Sequence, residues 1–156
     1  MVTICPMVED DLPFLLQVRN ASRDMLHDNR EFSLDECTKW WRSTKPRFFT
    51  IKHNDISVGY IRTSNWDENN LSVYIGADIA PEHRRRGYAR QAYKLMLDTL
   101  FKSGMRKVSL EVLSHNRPAI KLYESLGFVR QGVKRQEIVR DNKTIDSILM
   151  SITLSE

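Results

Sequence analysis

Cysteine is scarce in this chain of 156 residues: Cys5 and Cys37 stand alone, far apart and without metal-ligand spacing. That excludes a disulfide framework, and makes a reducing cytoplasm the expected compartment. Long apolar runs are missing too, so no segment suits a membrane-spanning helix and no membrane partner is expected. The opening Met1-Val2-Thr3-Ile4-Cys5-Pro6 has no basic stretch followed by an apolar one, the mark of a secretory leader. Glycine and proline number only 6 and 5, and no low-complexity tract, linker or internal repeat is visible. Charge of one sign does not dominate. The net +4 suits a polyanionic small molecule as well as a nucleic acid, and argues for neither. The four histidines are scattered; none is assigned to catalysis, and no metal is expected. What remains is an ordinary globular composition, 41% hydrophobic and 28% charged, enough for one core. Residues 1–156 are read as a single domain.

Hydrophobic spacing then divides the chain. Val2–Cys5 suits a short strand. Asp10 or Asp11 is expected to cap a helix with Pro13 in its first turn. Ser33-Leu34-Asp35-Glu36 has capping-box spacing and opens a second helix through Trp40-Trp41, whose rings are read first as core. Arg47–Lys52 and Ile56–Thr63 form a hairpin about His53-Asn54-Asp55. Ser64–Asn70 is expected to be a polar loop, and Leu71–Ile79 a strand. A helix reaching about Phe101 follows, with Ala92, Leu95, Met96, Thr99 and Leu100 as its apolar face. Lys107–Leu113 is the next strand. Asn116-Arg117-Pro118 starts a helix that Gly127 ends, with Phe128 packed back on Tyr123. A last antiparallel pair turns at Asp141-Asn142-Lys143. The order predicts a mixed α/β fold with helices on both faces of the sheet and a parallel β–α–β unit at Leu71–Leu113.

Arg84-Arg85-Arg86-Gly87-Tyr88-Ala89 breaks a local rule. Three arginines crowd a helix start, where the dipole is positive and disfavours cations. A bound anion resolves that conflict, since free first-turn N–H groups suit a phosphate and Gly87 and Ala89 leave the backbone approachable. The ordinary alternative is a solvated basic face. Nucleic acid is not expected, because no aromatic–basic interleaving accompanies the run.

Two segments together carry a resemblance. Arg84, Gly87 and Ala89 match Gln/Arg-x-x-Gly-x-Gly/Ala. Asn116, Ala119, Leu122, Tyr123, Gly127 and Phe128 match Asn-x-x-Ala-x-x-Leu-Tyr-x-x-x-Gly-Phe. In this order, across a β–α–β crossover, they resemble the Gcn5-related N-acetyltransferase (GNAT) superfamily, and the likeness covers nearly the whole chain. It implies a mostly antiparallel twisted sheet of six to seven strands, with a splayed parallel pair at the cofactor site. It implies acetyl-CoA as co-substrate, with the pyrophosphate on N–H groups from Arg85 to Arg90 and on the arginine side chains. The cofactor residues it implies are Ala77, Ile79, Arg84, Arg85, Arg86, Gly87, Tyr88, Ala89, Arg90, Asn116 and Tyr123. The strand end Ala77–Ile79 would pair with the pantetheine arm, and a free N–H near Ile79 would polarise the thioester. Asn116 has a plain helix cap as its equal alternative.

Tyr123 is the family's usual general acid. A phenol of pKa ~10 arrives protonated and can protonate a departing thiolate. Packing on Phe128 is its structural alternative. Glu111 is the candidate base, because Val108, Leu110 and Val112 occupy the other face of its strand and Leu110-Glu111-Val112 looks like the matching strand of ribosomal-protein N-terminal acetyltransferases. Pairing with a nearby Arg or Lys is the alternative for Glu111, and Asp78 is the second choice of base. Transfer would be direct, in a ternary complex with an amine acceptor and the enzyme a monomer or homodimer. Val18-Arg19-Asn20 and Glu36 to Trp41 look like the branch holding amino-sugar nucleotide and ribosomal-protein acetyltransferases. Those acceptors, a polyamine, and a non-catalytic acyl-CoA-binding module all stay open. Arg30, Arg135, Arg140 and Lys143 would clamp a nucleotide diphosphate; Asp28, Glu31, Asp67 and Glu68 would hold a polycation.

Overall fold

A computed structural model describes residues 1–43 and 47–154. Seven strands form one sheet: β1 (Val2–Pro6), β2 (Arg47–His53), β3 (Ile56–Asp67), β4 (Ser72–Ile79), β5 (Lys107–Leu113), β6 (Val129–Arg140) and β7 (Lys143–Thr153). Their spatial order is β1-β2-β3-β4-β5-β7-β6, antiparallel throughout except for β4 beside β5. Four α-helices accompany them among the described residues: α1 (Leu12–Ala21), α2 (Leu34–Arg42), α3 (Tyr88–Lys102) and α4 (Arg117–Leu126).

The two faces of the sheet are covered separately. Val73, Ile75 and Ile79 of β4 and Val108, Leu110 and Val112 of β5 pack with Tyr93, Met96, Leu97 and Leu100 of α3 and Ile120 of α4. On the opposite face, Leu12, Leu15 and Val18 of α1 and Cys37 of α2 pack on Phe48 and Tyr60. Trp40 centres that cluster, edge-on to Phe32, Phe48 and Tyr60 at centroid distances of 5.9, 4.7 and 6.0 Å. Period-two alternation divides each strand between the two cores, so sequence parity tells which face a side chain serves.

Turn chemistry agrees with the hairpins. Asn54 and Asp55 take φ of 50° and 67°, and Asp141 and Asn142 take 52° and 61°, the left-handed pair that a two-residue hairpin turn needs. The Ser33–Glu36 capping box is present, with Glu36 N–H on Ser33 Oγ at 3.1 Å and Ser33 N–H on Glu36 Oε1 at 3.0 Å. Four expectations need correction. Asp11 does not cap α1 with its side chain; its carboxylate accepts from Val8 N–H and Thr50 Oγ1 instead. Residues 64–67 continue β3 rather than looping, with Trp66 Nε1 donating to Thr63 Oγ1. On α3 the apolar face is rotated toward Tyr93 and Leu97, leaving Leu95 and Thr99 exposed, because Tyr93 and Leu97 share a stripe with Leu100. Lys143 belongs to β7 rather than to the turn.

Candidate active site

β4 and β5 pair only at Ser72–Lys107, Val73–Val108 and Tyr74–Ser109. Past Tyr74, β4 follows β3 as far as Ile79, and β5 follows β7 as far as Leu113. The two strands therefore diverge and leave inner edges facing each other across a gap. Gly59 of β3 shows how closely β3 holds the end of β4, since a Cβ there would lie 2.3 Å from the Asp78 carbonyl. Ala80 N–H bonds the Val58 carbonyl at 2.9 Å. By strand alternation the N–H groups of Ala77 and Ile79 point the other way, into the gap. The Ile79 carbonyl is occupied by Arg84 Nε at 2.9 Å.

The end of the gap meets the start of α3. Its N-cap is Gly87, left-handed at φ 81°, and no side chain caps the first turn, whereas Ser33 caps α2 and Asn116 caps α4. The N–H groups of Tyr88, Ala89 and Arg90 precede the first intrahelical bond, Gln91 N–H to Gly87 O at 3.2 Å. Nothing lies closer than Gln91 Nε2, at 3.9 Å, to where a Gly87 Cβ would stand. The surrounding side chains divide into two kinds. Arg84 turns inward to Ile79 and to Ser22 Oγ at 3.3 Å. Tyr88 stacks on His53 and reaches its Nδ1 at 3.1 Å, and Arg90 donates to Ser125 Oγ on α4. Arg85, left-handed at φ 65°, and Arg86 stand exposed. Arg84 thus braces the loop, and Arg90 ties the start of α3 to α4.

Tyr123 lies on the α3/α4 face. Its hydroxyl is 3.3 Å from that of Tyr93, and the rings meet edge-on at 5.4 Å. Burial pushes the Tyr123 phenol up to about 12, so it stays protonated at neutral pH. The helix end that places it is a left-handed cap, with Gly127 at φ 102° and Phe128 N–H on the Tyr123 carbonyl at 3.0 Å. Asn116 serves as the α4 cap, its Oδ1 accepting from Ala119 N–H at 3.4 Å.

Asp78 and Glu111 lie on the opposite, α1/α2 face. Asp78 Oδ2 accepts a short hydrogen bond from Tyr60. Burial lifts this carboxyl to about 6, against the downward pull of the Tyr60 bond and of Arg62, Arg84 and Arg19. Glu111 Oε1 pairs with Lys134 Nζ at 3.0 Å and accepts from Ser147 Oγ at 3.4 Å. Ser147 Oγ also lies 2.7 Å from His27 Nε2. Sequence reasoning named His27 only as the edge of an acceptor wall from His27 to Phe32, and did not single out Tyr60, Tyr93, Lys134 or Ser147. Parity on β7, where Ser147 and Ser151 are polar yet buried, was the available signal.

The residues expected around the acceptor are largely committed elsewhere. Arg30 pairs with Asp28 at 2.8 Å. Arg140 donates to the backbone carbonyls of Asp24, Leu26 and His27. Arg135 lines a separate cavity of about 500 Å³ with Ser114, Val133, Gln136, Thr144 and Asp146. Among the acids, Glu31 lies 3.9 Å from Arg23, and Asp67 binds Asn69 and Asn70 within its own turn. Arg30, Arg140, Asp28, Glu31 and Asp67 thus all hold partners within the chain.

Residues 15–128 match the acetyltransferase (GNAT) family. The chain is 34% identical over 155 residues to the ribosomal protein bS18-alanine N-acetyltransferase of Escherichia coli, covering 99% of each. It is 29% identical over 111 residues to an SPbeta prophage-derived uncharacterized N-acetyltransferase of Bacillus subtilis, a match spanning 70% of this chain and 63% of that one. The fold superposes on the spermidine N-acetyltransferase from Vibrio cholerae in complex with CoA and spermine, with a TM-score of 0.89, 25% identity, and 97% and 95% of the two chains covered. The chain belongs to the GNAT family and is an N-acetyltransferase by class.

Proposed function

We propose that the protein transfers an acetyl group from acetyl-CoA directly to a primary amine, and that the acceptor is the α-amine of a peptide or protein N-terminus. The observation that carries the reading is the gap between β4 and β5, with Tyr123 on one face and Glu111 on the other. CoA enters on the α3/α4 side. Its pyrophosphate takes the first-turn N–H groups of α3 from Tyr88 to Arg90, with Arg85 and Arg86 beside it. The pantetheine arm lies along the free edge at Ala77 and Ile79, and the Ile79 N–H polarises the thioester carbonyl. The amine enters from the α1/α2 side, loses its proton to Glu111 and attacks. The tetrahedral intermediate collapses, and Tyr123 protonates the departing thiolate.

The acceptor follows from basicity and from what lines that side. A carboxylate is in general a weak base, with an ordinary pKa of ~4.3. An α-amine of pKa ~7.7–8.0 needs far less help than a lysine-type amine of ~10.4. The relative that acts on ribosomal-protein alanine supports the same class. A polyamine or a nucleotide-linked amino sugar is less well served, because Arg30, Arg140, Asp28, Glu31 and Asp67 already hold partners within the chain. A thiol-release assay over N-terminal peptides, amino-sugar nucleotides and spermidine tests the reading. Peptides are expected to turn over, and Tyr123→Phe to lower kcat by about 10²–10⁴ without changing the KM for acetyl-CoA. Turnover of spermidine alone, or a Tyr123→Phe variant within twofold of the parent, would overturn it.

A further inference from the structure

We infer that His27 and Ser147 form a proton exit from Glu111 to solvent, making His27 a positioning and relay residue for the amine-deprotonating step. The inference rests on the reading of Glu111 as base. Three atoms carry it: Glu111 Oε1, Ser147 Oγ at 3.4 Å and His27 Nε2 at 2.7 Å from that hydroxyl. Ser147 is fully buried on β7, directly beside the gap strand β5, whereas His27 stands at the surface in the connection between α1 and α2, its ring partly covered. The serine therefore joins a half-buried carboxylate to an imidazole at the surface.

The connection that carries His27 is held in place from three directions. Arg19, itself buried, donates to the Asp28 carbonyl at 2.8 Å and to that of Arg30. Arg140 of β6 donates to the carbonyls of Asp24, Leu26 and His27, and His115 Nε2 lies 3.2 Å from that of Asp24. Such anchoring is more than a surface connection requires, and it fixes the imidazole on Ser147.

The proton balance closes. Glu111 takes a proton from the acceptor ammonium. It passes that proton to Ser147 Oγ while the serine hydroxyl proton moves to His27 Nε2. The imidazolium releases a proton to water from Nδ1, and the neutral ring then donates through Nε2 to a serine that again donates to Glu111. One proton leaves per acetyl group transferred, and the carboxylate is restored. The relay starts from the ring protonated at Nδ1, a form regained through solvent exchange.

The charges facing His27 set its working range. Glu111 of β5 and Glu137 of β6 favour the imidazolium, Lys134 and Arg140 of β6 oppose it, and burial of the ring opposes it most. The net effect lowers the imidazole from its usual value, so His27 is neutral and able to accept at neutral pH. As pH falls through its pKa, Nε2 becomes protonated and the relay closes.

The test compares His27→Gln, His27→Ala and Glu111→Gln in steady state from pH 5 to 9. His27→Gln keeps a hydrogen-bond donor toward Ser147 but cannot take up a proton. It is expected to lower kcat about tenfold, within the usual reach of proton-transfer groups, with an unchanged KM for acetyl-CoA and loss of the acidic limb assigned to His27. Added imidazole should restore turnover to His27→Ala. Parent-like kcat and pH profile in His27→Gln, or no imidazole rescue of a folded His27→Ala, would overturn the relay. Glu111→Gln separates the two readings. If it keeps parent turnover, the base assignment fails; if it collapses while His27→Gln does not, only the relay fails.

Discussion

Asp78 and Glu111 share a sheet face and a charge type, yet their surroundings push them to different tasks. Asp78 is half-buried against Tyr60, and its carboxyl is held at about 6, well above the usual carboxylate range. Glu111 keeps a lysine partner and a serine donor. A raised carboxyl pKa means that the folded state disfavours the charge. Ionised Asp78 therefore costs stability above pH 6, and the cost disappears as pH falls through 6 toward 4. Asp78→Asn retains an acceptor for the Tyr60 hydroxyl and removes the charge. It is expected to gain about 1–3 kcal/mol at pH 8, counted at ~1.4 kcal/mol per pKa unit, and nothing near pH 4. Denaturant unfolding at the two pH values checks this. Turnover of the variant should stay within a few-fold of the parent, since Glu111 holds the base role in the proposed mechanism.

The start of α3 has no side-chain cap, and two left-handed residues, Arg85 and Gly87, shape the chain before it. Gly87 has open space around it, but its φ of 81° penalises any Cβ. Gly87→Glu should therefore act twice. Left-handed strain lowers stability by about 1–2 kcal/mol, and the carboxylate repels the CoA phosphates. Calorimetry is expected to show at least a tenfold loss of acetyl-CoA affinity in a protein that still melts cooperatively; Gly87→Ala, with the strain but not the charge, should lose much less. Equal losses in the two variants would show that backbone geometry alone sets the affinity.

The sheet halves diverge beyond Tyr74–Ser109, and the connection between α1 and α2 meets β6 and β7. Arg140 supplies three of its hydrogen bonds to that connection, each to a backbone carbonyl. Charge-assisted bonds of this kind contribute about 1.5–3 kcal/mol each when formed well. Arg140→Met removes them while keeping most of the side-chain volume. Amide exchange of residues 24–28 should rise by an order of magnitude or more while the central strands stay protected. If Glu111 relies on His27 for proton release, kcat should fall in the same variant with the acetyl-CoA KM unchanged.

Several features were legible from local chemistry alone. Strand parity, the Ser33–Glu36 capping box, the left-handed hairpin turns and the Gly127 cap that seats Tyr123 each depend on residues close in sequence, so spacing suffices to find them. The family motifs were legible for the same reason: a phosphate loop and its helix are one local unit. The divergence of β4 from β5 was expected only through the family resemblance; the inward turn of Arg84 and the commitment of Arg30 and Arg140 were not legible, because each depends on partners that the chain brings together only in space. Ser147 shows the difference best. In sequence it is one polar residue in a strand; in the folded chain it touches a glutamate 36 residues away and a histidine 120 residues away, and packing of β7 between β5 and β6 is what brings those groups together.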